Sequence, residues 1–326
     1  MIPDDSSPAV VIRQLGHCYR ATRRQAPRKA LDRLDLTIPT GTFFVLTGPN
    51  GSGKSTLFKI LCGMTRPSTG TIHIFDHDLI ANPNAARSAM GVVFQKPALD
   101  KYLTVEENLK IHADLHDIPP DLFRQRLPDA LAWSDLRERL GDRVETLSGG
   151  LARQAELVKV LLHAPALLLL DEPTAGLDPG GRLAFLATLK RLQKKHGVTI
   201  LMTSHVFAEA EQADLVAILR QGKLLALDSP THLSRQLGAE ILVVQGEGLE
   251  TVAQGLTTRA GITLQVQNHE LRIQGESREL LPLMAKLLQD HRERIHALAI
   301  KQPTLEDVYI HLTGRDLFSD EEEQNR

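Results

Sequence analysis

The stretch "FFVLTGPNGSGKSTLFKIL", residues 43–61, constrains this chain more than any other. A short apolar run of strand character passes into Gly48, Pro49, Asn50, Gly51, Ser52, Gly53, Lys54, Ser55 and Thr56, and a helical pattern follows. The spacing G-x-x-x-x-G-K-S at a strand-to-helix junction is that of a phosphate-binding P-loop. Gly51 and Gly53 remove side-chain obstruction, so the N–H groups of Asn50 to Ser55 can turn inward toward an anion. The helix start adds partial positive charge at the same place. Lys54 supplies a mobile cation for the β- and γ-phosphates, and Ser55 a hydroxyl that can ligate Mg²⁺. Chance rarely places Gly, Gly-Lys and Ser together at such a junction.

A loop of this kind needs a sheet behind it. Beyond Phe43 the runs "GTIHIFD", "MGVVFQ", "ALLLLDEP" and "VTILMTSH" alternate with helical patterns, with a mainly helical stretch at about 104–163. Buried apolar strands separated by helices predict a parallel sheet covered on both faces. In such sheets ligands bind at the C-terminal ends of the strands. Asp171 emerges there from "LLLL" and would hold Mg²⁺ through water; Glu172, beside it, could orient or deprotonate an attacking water. Gln95 and His205 end two other strands at the same edge. Gln95 could reach the metal or the water, and His205 the γ-phosphate.

A second glycine turn, "TLSGGLARQ" (146–154), opens another helix. Ser148 has the N-cap position, and Gly149 and Gly150 leave the helix start open to an anion. One chain therefore carries two phosphate-grasping turns.

Near residue 238 the texture changes. The order strand, helix, strand, strand, helix, strand over 240–313 predicts a small α+β unit of ferredoxin-like type, with a turn around Asn268. A last helix, "TLEDVYIHLTGRDL", precedes an acidic tail at 314–326 that reads as disordered. Lys and Arg number 38 against 40 Asp and Glu, so no charge bias favours nucleic acid. Cys18 and Cys62 lack metal-type spacing and are expected as reduced thiols. The most apolar stretch, "LVKVLLHAPALLLLDEP", is broken by Lys159, His163, Pro165 and Asp171. It falls short of the about 20 apolar residues a spanning helix needs, and the acidic N-terminus, without an apolar run, is not expected to be a signal peptide. The basic run 20–30, "RATRRQAPRKA", reads as a solvated turn or as a docking surface for lipid headgroups or a partner.

Together these motifs resemble the nucleotide-binding subunits of ABC transporters, over about residues 9–237. "GPNGSGKST" is similar to Walker A, "LLLLDE" to Walker B and "LSGGL" to the ABC signature, with Leu151 where the family commonly has Gln. Gln95 matches the Q-loop, Ala175 to Asp178 the D-loop, and His205 the switch histidine. Tyr19 matches the aromatic that stacks on adenine. The resemblance implies an α/β P-loop ATPase domain with N-terminal antiparallel strands and a helical subdomain at about 97–163. It implies ATP and Mg²⁺ as cofactors, with Ser55, Gln95 and Asp171 at the metal and Glu172, His205, Lys54 and Gln95 in catalysis. It also implies a head-to-tail homodimer, in which Ser148, Gly149 and Gly150 of one chain meet the γ-phosphate held by the P-loop of the other. "GVVFQKPALDKYLTVEENLKIHADLHDIP" and "TLEDVYIHLTGRDL" are similar to ATPase subunits of ABC-2-type exporters. That implies an ABC-2-type membrane permease as partner and a place on the cytoplasmic face of the inner membrane. A soluble ABC ATPase outside transport and an import ATPase with a regulatory tail remain as alternatives. One P-loop, no long heptad segment and balanced charge argue against the first, and the helices of the C-terminal part against the second.

Overall fold

The computed structural model describes residues 8–20, 26–237, 240–256, 263–267 and 270–314. The described residues divide into two units, one up to Asp228 and one from Ser229 to Gly314.

The first unit opens with β1 (Pro8–Tyr19), β2 (Arg28–Pro39), β3 (Phe43–Thr47), α1 (Lys54–Leu61), β4 (Thr69–Ile74), β5 (His77–Asp78), α2 (Pro83–Ser88) and β6 (Met90–Val93). Three longer helices follow: α3 (Val105–Leu115), α4 (Pro120–Leu131) and α5 (Gly149–Leu161). It closes with β7 (Leu167–Asp171), α6 (Pro179–His196), β8 (Thr199–Ser204), α7 (Phe207–Ala210), β9 (Leu215–Arg220) and β10 (Lys223–Asp228).

Two sheets result. One is antiparallel, in the order β2-β1-β4-β5; the other runs β10-β9-β3-β8-β7-β6 and is parallel except for β10. All of β3 is buried, and so are Leu167 to Leu170 of β7. Such unbroken apolar runs are what a strand covered on both faces requires. Leu57, Phe58, Ile60 and Leu61 of α1 share one core with Ile12, Leu36, Ile38 and Ile72 of the antiparallel sheet and Leu46 and Leu169 of the parallel one. Each such side chain, fully buried, contributes about 1.5–3 kcal/mol.

The parallel register decides where the chemistry lies. Thr47 pairs with Ser204 and Ile218, and Asp171 with Thr203. The residues that follow β3, β7 and β8 thus leave the sheet at one edge. The α3–α5 region has its own core, with Val105, Leu109, Phe123, Leu136, Val158 and Leu162. Its α3 starts on a capping box between Thr104 and Glu107, which satisfies two otherwise orphaned N–H groups.

The second unit contains α8 (Pro230–Gln236), β11 (Glu240–Gly246), α9 (Leu249–Leu256), β12 (Thr263–Gln267), β13 (Glu270–Gly275), α10 (Ser277–Asp290), β14 (Ile295–Lys301) and α11 (Leu305–Thr313). Its sheet is antiparallel throughout, in the order β12-β13-β11-β14, which is the split βαβ arrangement. Leu249 and Val252 of α9 and Leu280, Leu283 and Leu287 of α10 cover Leu242, Val244, Leu271 and Ile273 of the strands.

Two expectations change. The division falls after Asp228 rather than near Leu237, because α8 belongs to the second unit, where Gln274 Nε2 donates to the Leu237 carbonyl at 3.1 Å. The basic run 20–30 is not a turn throughout: Arg28 and Lys29 begin β2, and the Arg28 guanidinium donates to the Gly51 carbonyl at 3.0 Å. Residues 21–25, the turn at Asn268 and the tail beyond Gly314 lie outside the described residues.

Candidate functional site

The loop after β3 owes its path to glycine. Gly48 and Gly53 take φ values of +140° and +112°, open to glycine and strained for other residues. A Cβ on Gly48 would stand 2.1 Å from the Leu219 carbonyl oxygen, and one on Gly53 2.7 Å from that of Ala30. The loop is pressed against its own fold, and α1 then starts at Lys54 with Gly53 as N-cap. Lys54 is 4% exposed, and its ammonium donates to the carbonyls of Gly48 at 2.6 Å and Pro49 at 2.9 Å. Ser55 is exposed at the second position of the helix. Thr56 shares a hydrogen bond of 3.2 Å with the Tyr19 hydroxyl. Tyr19 is 40% exposed, and its ring meets His17 edge-on at 4.7 Å.

At the ends of β7 and β8 the acidic residues lie close to the loop. Thr203 Oγ1 donates to Asp171 Oδ1 at 2.6 Å and accepts from the Glu172 N–H at 3.0 Å. Glu172 itself takes φ +43°, a left-handed conformation that costs a non-glycine residue roughly 1–2 kcal/mol. Gln95 Nε2 donates to Glu172 Oε2 at 3.1 Å, while His205 Nδ1 lies 3.3 Å from Oε1. The carboxylate is held from both sides, with 17% of the side chain exposed. Burial pushes the Asp171 pKa above its usual value, and the charge of Glu172 adds to this; the Thr203 hydroxyl and Lys54 pull the other way. Ser55, Asp171 and the side-chain carbonyl of Gln95 offer oxygen donors, the type a hard cation such as Mg²⁺ takes.

Ser148 caps α5 and accepts from the Leu151 N–H at 3.3 Å. Ser148 and Gly149 are exposed. A Cβ placed on Gly149 meets nothing within 4 Å, and one on Gly150 only the Ser148 hydroxyl at 4.0 Å. These glycines differ from those of the P-loop, since nothing packed around them in their own chain requires them. Leu151 packs against the α3–α5 core, which accounts for an apolar side chain at that position. Asp178 caps α6 and accepts from the Gly181 N–H at 3.2 Å.

Several residues of this region carry no sequence motif. Arg153, 3% exposed, donates to the carbonyls of Phe94 and Gln95, both at 2.5 Å, and pairs with Glu156 at 3.0 Å. Glu156 in turn accepts from the Ala98 N–H at 2.5 Å, and Lys159 donates to the Ala98 carbonyl at 2.9 Å. The helix behind Ser148 is thereby tied to the segment that carries Gln95. Glu209, 2% exposed, accepts from Thr174 at 2.7 Å and Ser204 at 2.6 Å and meets Arg182 at 3.3 Å, joining the segment before Asp178 to the one before His205. Their spacing in the sequence, Arg153 and Glu156 at i, i+3, does not distinguish them from a solvated helix face.

Comparison with known proteins agrees with this geometry. Residues 31–175 match the family described as ABC transporter. The daunorubicin resistance ATP-binding protein DrrA3 of Streptomyces coeruleorubidus is 33% identical over 300 residues, spanning 91% of this chain and 95% of the relative. The Nod factor export ATP-binding protein I of Ralstonia nicotianae is 32% identical over 302 residues, 90% of this chain and 92% of the relative. A solved structure of an ATP binding subunit of an ABC transporter is 29% identical, with a TM-score of 0.62 over 77% of this chain and 100% of that one. A dimeric ATP-binding cassette in a post-hydrolysis state bound to ADP and Pi, 24% identical, shares the fold with a TM-score of 0.60 over 68% of this chain and 98% of its own. With a third of its residues shared over nearly the full length of such relatives, the chain belongs to the ABC transporter family.

Proposed function

We propose that the chain binds and hydrolyses ATP with Mg²⁺ at sites shared between two copies, and so energises export through a separate ABC-2-type membrane permease. The observation that carries this is Glu172, clasped by Gln95 and His205 at the sheet edge next to the P-loop. Phosphate oxygens compete with the Gly48 and Pro49 carbonyls for Lys54, whose charge is worth most in this dry setting. Tyr19 offers an exposed ring beside Thr56 for the adenine. Ser55 and Asp171 would hold Mg²⁺ with Gln95, and the cation supplies charge neutralisation for the phosphoryl group. Glu172 orients the attacking water and takes its proton, while His205 faces the γ-phosphate.

The signature turn completes the site from the other copy. The exposed Ser148 N-cap and open glycines present N–H groups and a helix dipole to a phosphate that their own P-loop does not hold. Export as the direction rests on the relatives, named for drug resistance and Nod factor export. Among the described residues no helix is long and apolar enough to cross a membrane, so a permease would carry the substrate. That pairing would place the chain at the cytoplasmic face of the inner membrane. The unit from Ser229 supplies no nucleotide-handling residue and serves as an accessory domain. ATP turnover of the chain and of Glu172→Gln tests this reading: ATP binding should persist in the variant while hydrolysis falls, and equal turnover would contradict it.

A further inference from the structure

The α3–α5 region holds three histidines that the nucleotide chemistry does not use. His112 lies in the last turn of α3, His116 is its C-cap, and His163 follows the end of α5 by two residues. Spacing of i, i+4 puts the first two on one helix face. One ligating atom from each lies within 4.8 Å of the others, the one such group among the described residues.

We infer that His112, His116 and His163 form a binding site for a borderline divalent transition-metal ion of the Zn²⁺ class, joining α3 to the end of the helix that starts at Ser148. The contact between His112 Nε2 and His163 Nδ1 is 3.2 Å. Two nitrogens on one tetrahedral zinc, each bonded at about 2.0–2.1 Å, stand at about that separation. His163 is already oriented to ligate. Its Nε2 donates to the Met90 carbonyl at 3.0 Å, which leaves the Nδ1 lone pair facing His112. A ligand histidine fixed through its other nitrogen by a backbone carbonyl is the usual outer support of such sites. The His116 ring stacks on His163 at 4.2 Å and is exposed, so a turn of its side chain brings a third nitrogen in. Three imidazoles and one open position suit zinc, copper or nickel, whereas the oxygen donors of Ser55 and Asp171 suit magnesium. Of the cationic groups that act on these rings, Lys159 is engaged with Ala98 and Glu156, and Arg126 with the Leu162 carbonyl.

Metal binding is measured on the full, untagged chain without nucleotide, and ATP affinity separately. Co²⁺ should give the visible ligand-field bands of a low-symmetry nitrogen site at one ion per chain, and Zn²⁺ should displace it. By calorimetry, His116→Ala should weaken Zn²⁺ binding at least about tenfold, and His112→Ala/His116→Ala should abolish it, with ATP affinity unchanged in both. Circular dichroism identifies any variant that fails to fold; His116 is exposed, so its variant reports on binding. A wild-type chain that takes up no Zn²⁺, or a double variant that binds it as tightly, overturns the inference.

Discussion

The Arg153 guanidinium donates to the backbone carbonyl of Gln95 at 2.5 Å, so the helix that starts at Ser148 is tied to the residue that touches Glu172. The same guanidinium neutralises Glu156, which is 1% exposed. Arg153→Met should therefore cost about 3–5 kcal/mol, since removing one partner strands a buried charge. Arg153→Met/Glu156→Gln should recover the part due to the stranded charge and leave the cost of the two unpaired carbonyls. Denaturant unfolding of the two variants measures the difference. Arg153→Lys should not rescue, because an ammonium lacks the planar fork that reaches two carbonyls and a carboxylate.

Glu172→Gln should lower ATP turnover about 10²–10⁴-fold, the contribution of a positioned general base, and leave ATP affinity within a few-fold. Gln95→Ala and His205→Ala each remove one of the two contacts that hold the carboxylate. Both should reduce turnover less than Glu172→Gln does. Single-turnover hydrolysis alongside nucleotide affinity separates the effects.

Asp171→Asn should raise stability while reducing Mg²⁺-dependent hydrolysis. The folded pKa of Asp171 is raised above the ordinary carboxylate value, chiefly by burial. A raised value means that this group favours the fold fully only below its unfolded pKa and that the contribution is lost as pH rises through the folded one. Asparagine removes that loss and still accepts from Thr203. Thermal melts of both chains without Mg²⁺ should diverge as the pH is raised from about 4 to about 7, the range above this carboxyl's ordinary titration.

Much of this edge was legible because its signals are local. The P-loop spacing and the four leucines before Asp171 announce themselves within one strand and one turn. The meeting of Gln95 and His205 on Glu172 was legible only as a common sheet edge; Glu172 itself stands in a left-handed turn, which nothing in "LLDEP" displays. The Arg153–Glu156–Lys159 set was not legible, since charges at i, i+3 read equally as a solvated helix face. Their burial comes from residues 94–98, far away in sequence. The order of the second unit was visible from its alternation of strand and helix, but α8 reads as a continuation of the first until its partners are known.

A chain ended at Asp228 should keep its ATP affinity, because Tyr19, Lys54, Asp171 and Glu172 all belong to the first unit. Nucleotide fluorescence on the full and shortened chains checks this. A folded fragment that no longer binds ATP would place the second unit in the site.

The most direct measurement is sedimentation of Glu172→Gln with saturating ATP, beside Glu172→Gln/Ser148→Arg. If a second copy completes each site, ATP converts Glu172→Gln from monomer to dimer. The added arginine then leaves ATP binding intact and keeps the chain monomeric, because Ser148 is exposed and the glycines beside it stand in open space. A Glu172→Gln chain that binds ATP and stays monomeric, or a double variant that dimerises equally well, would contradict the shared site.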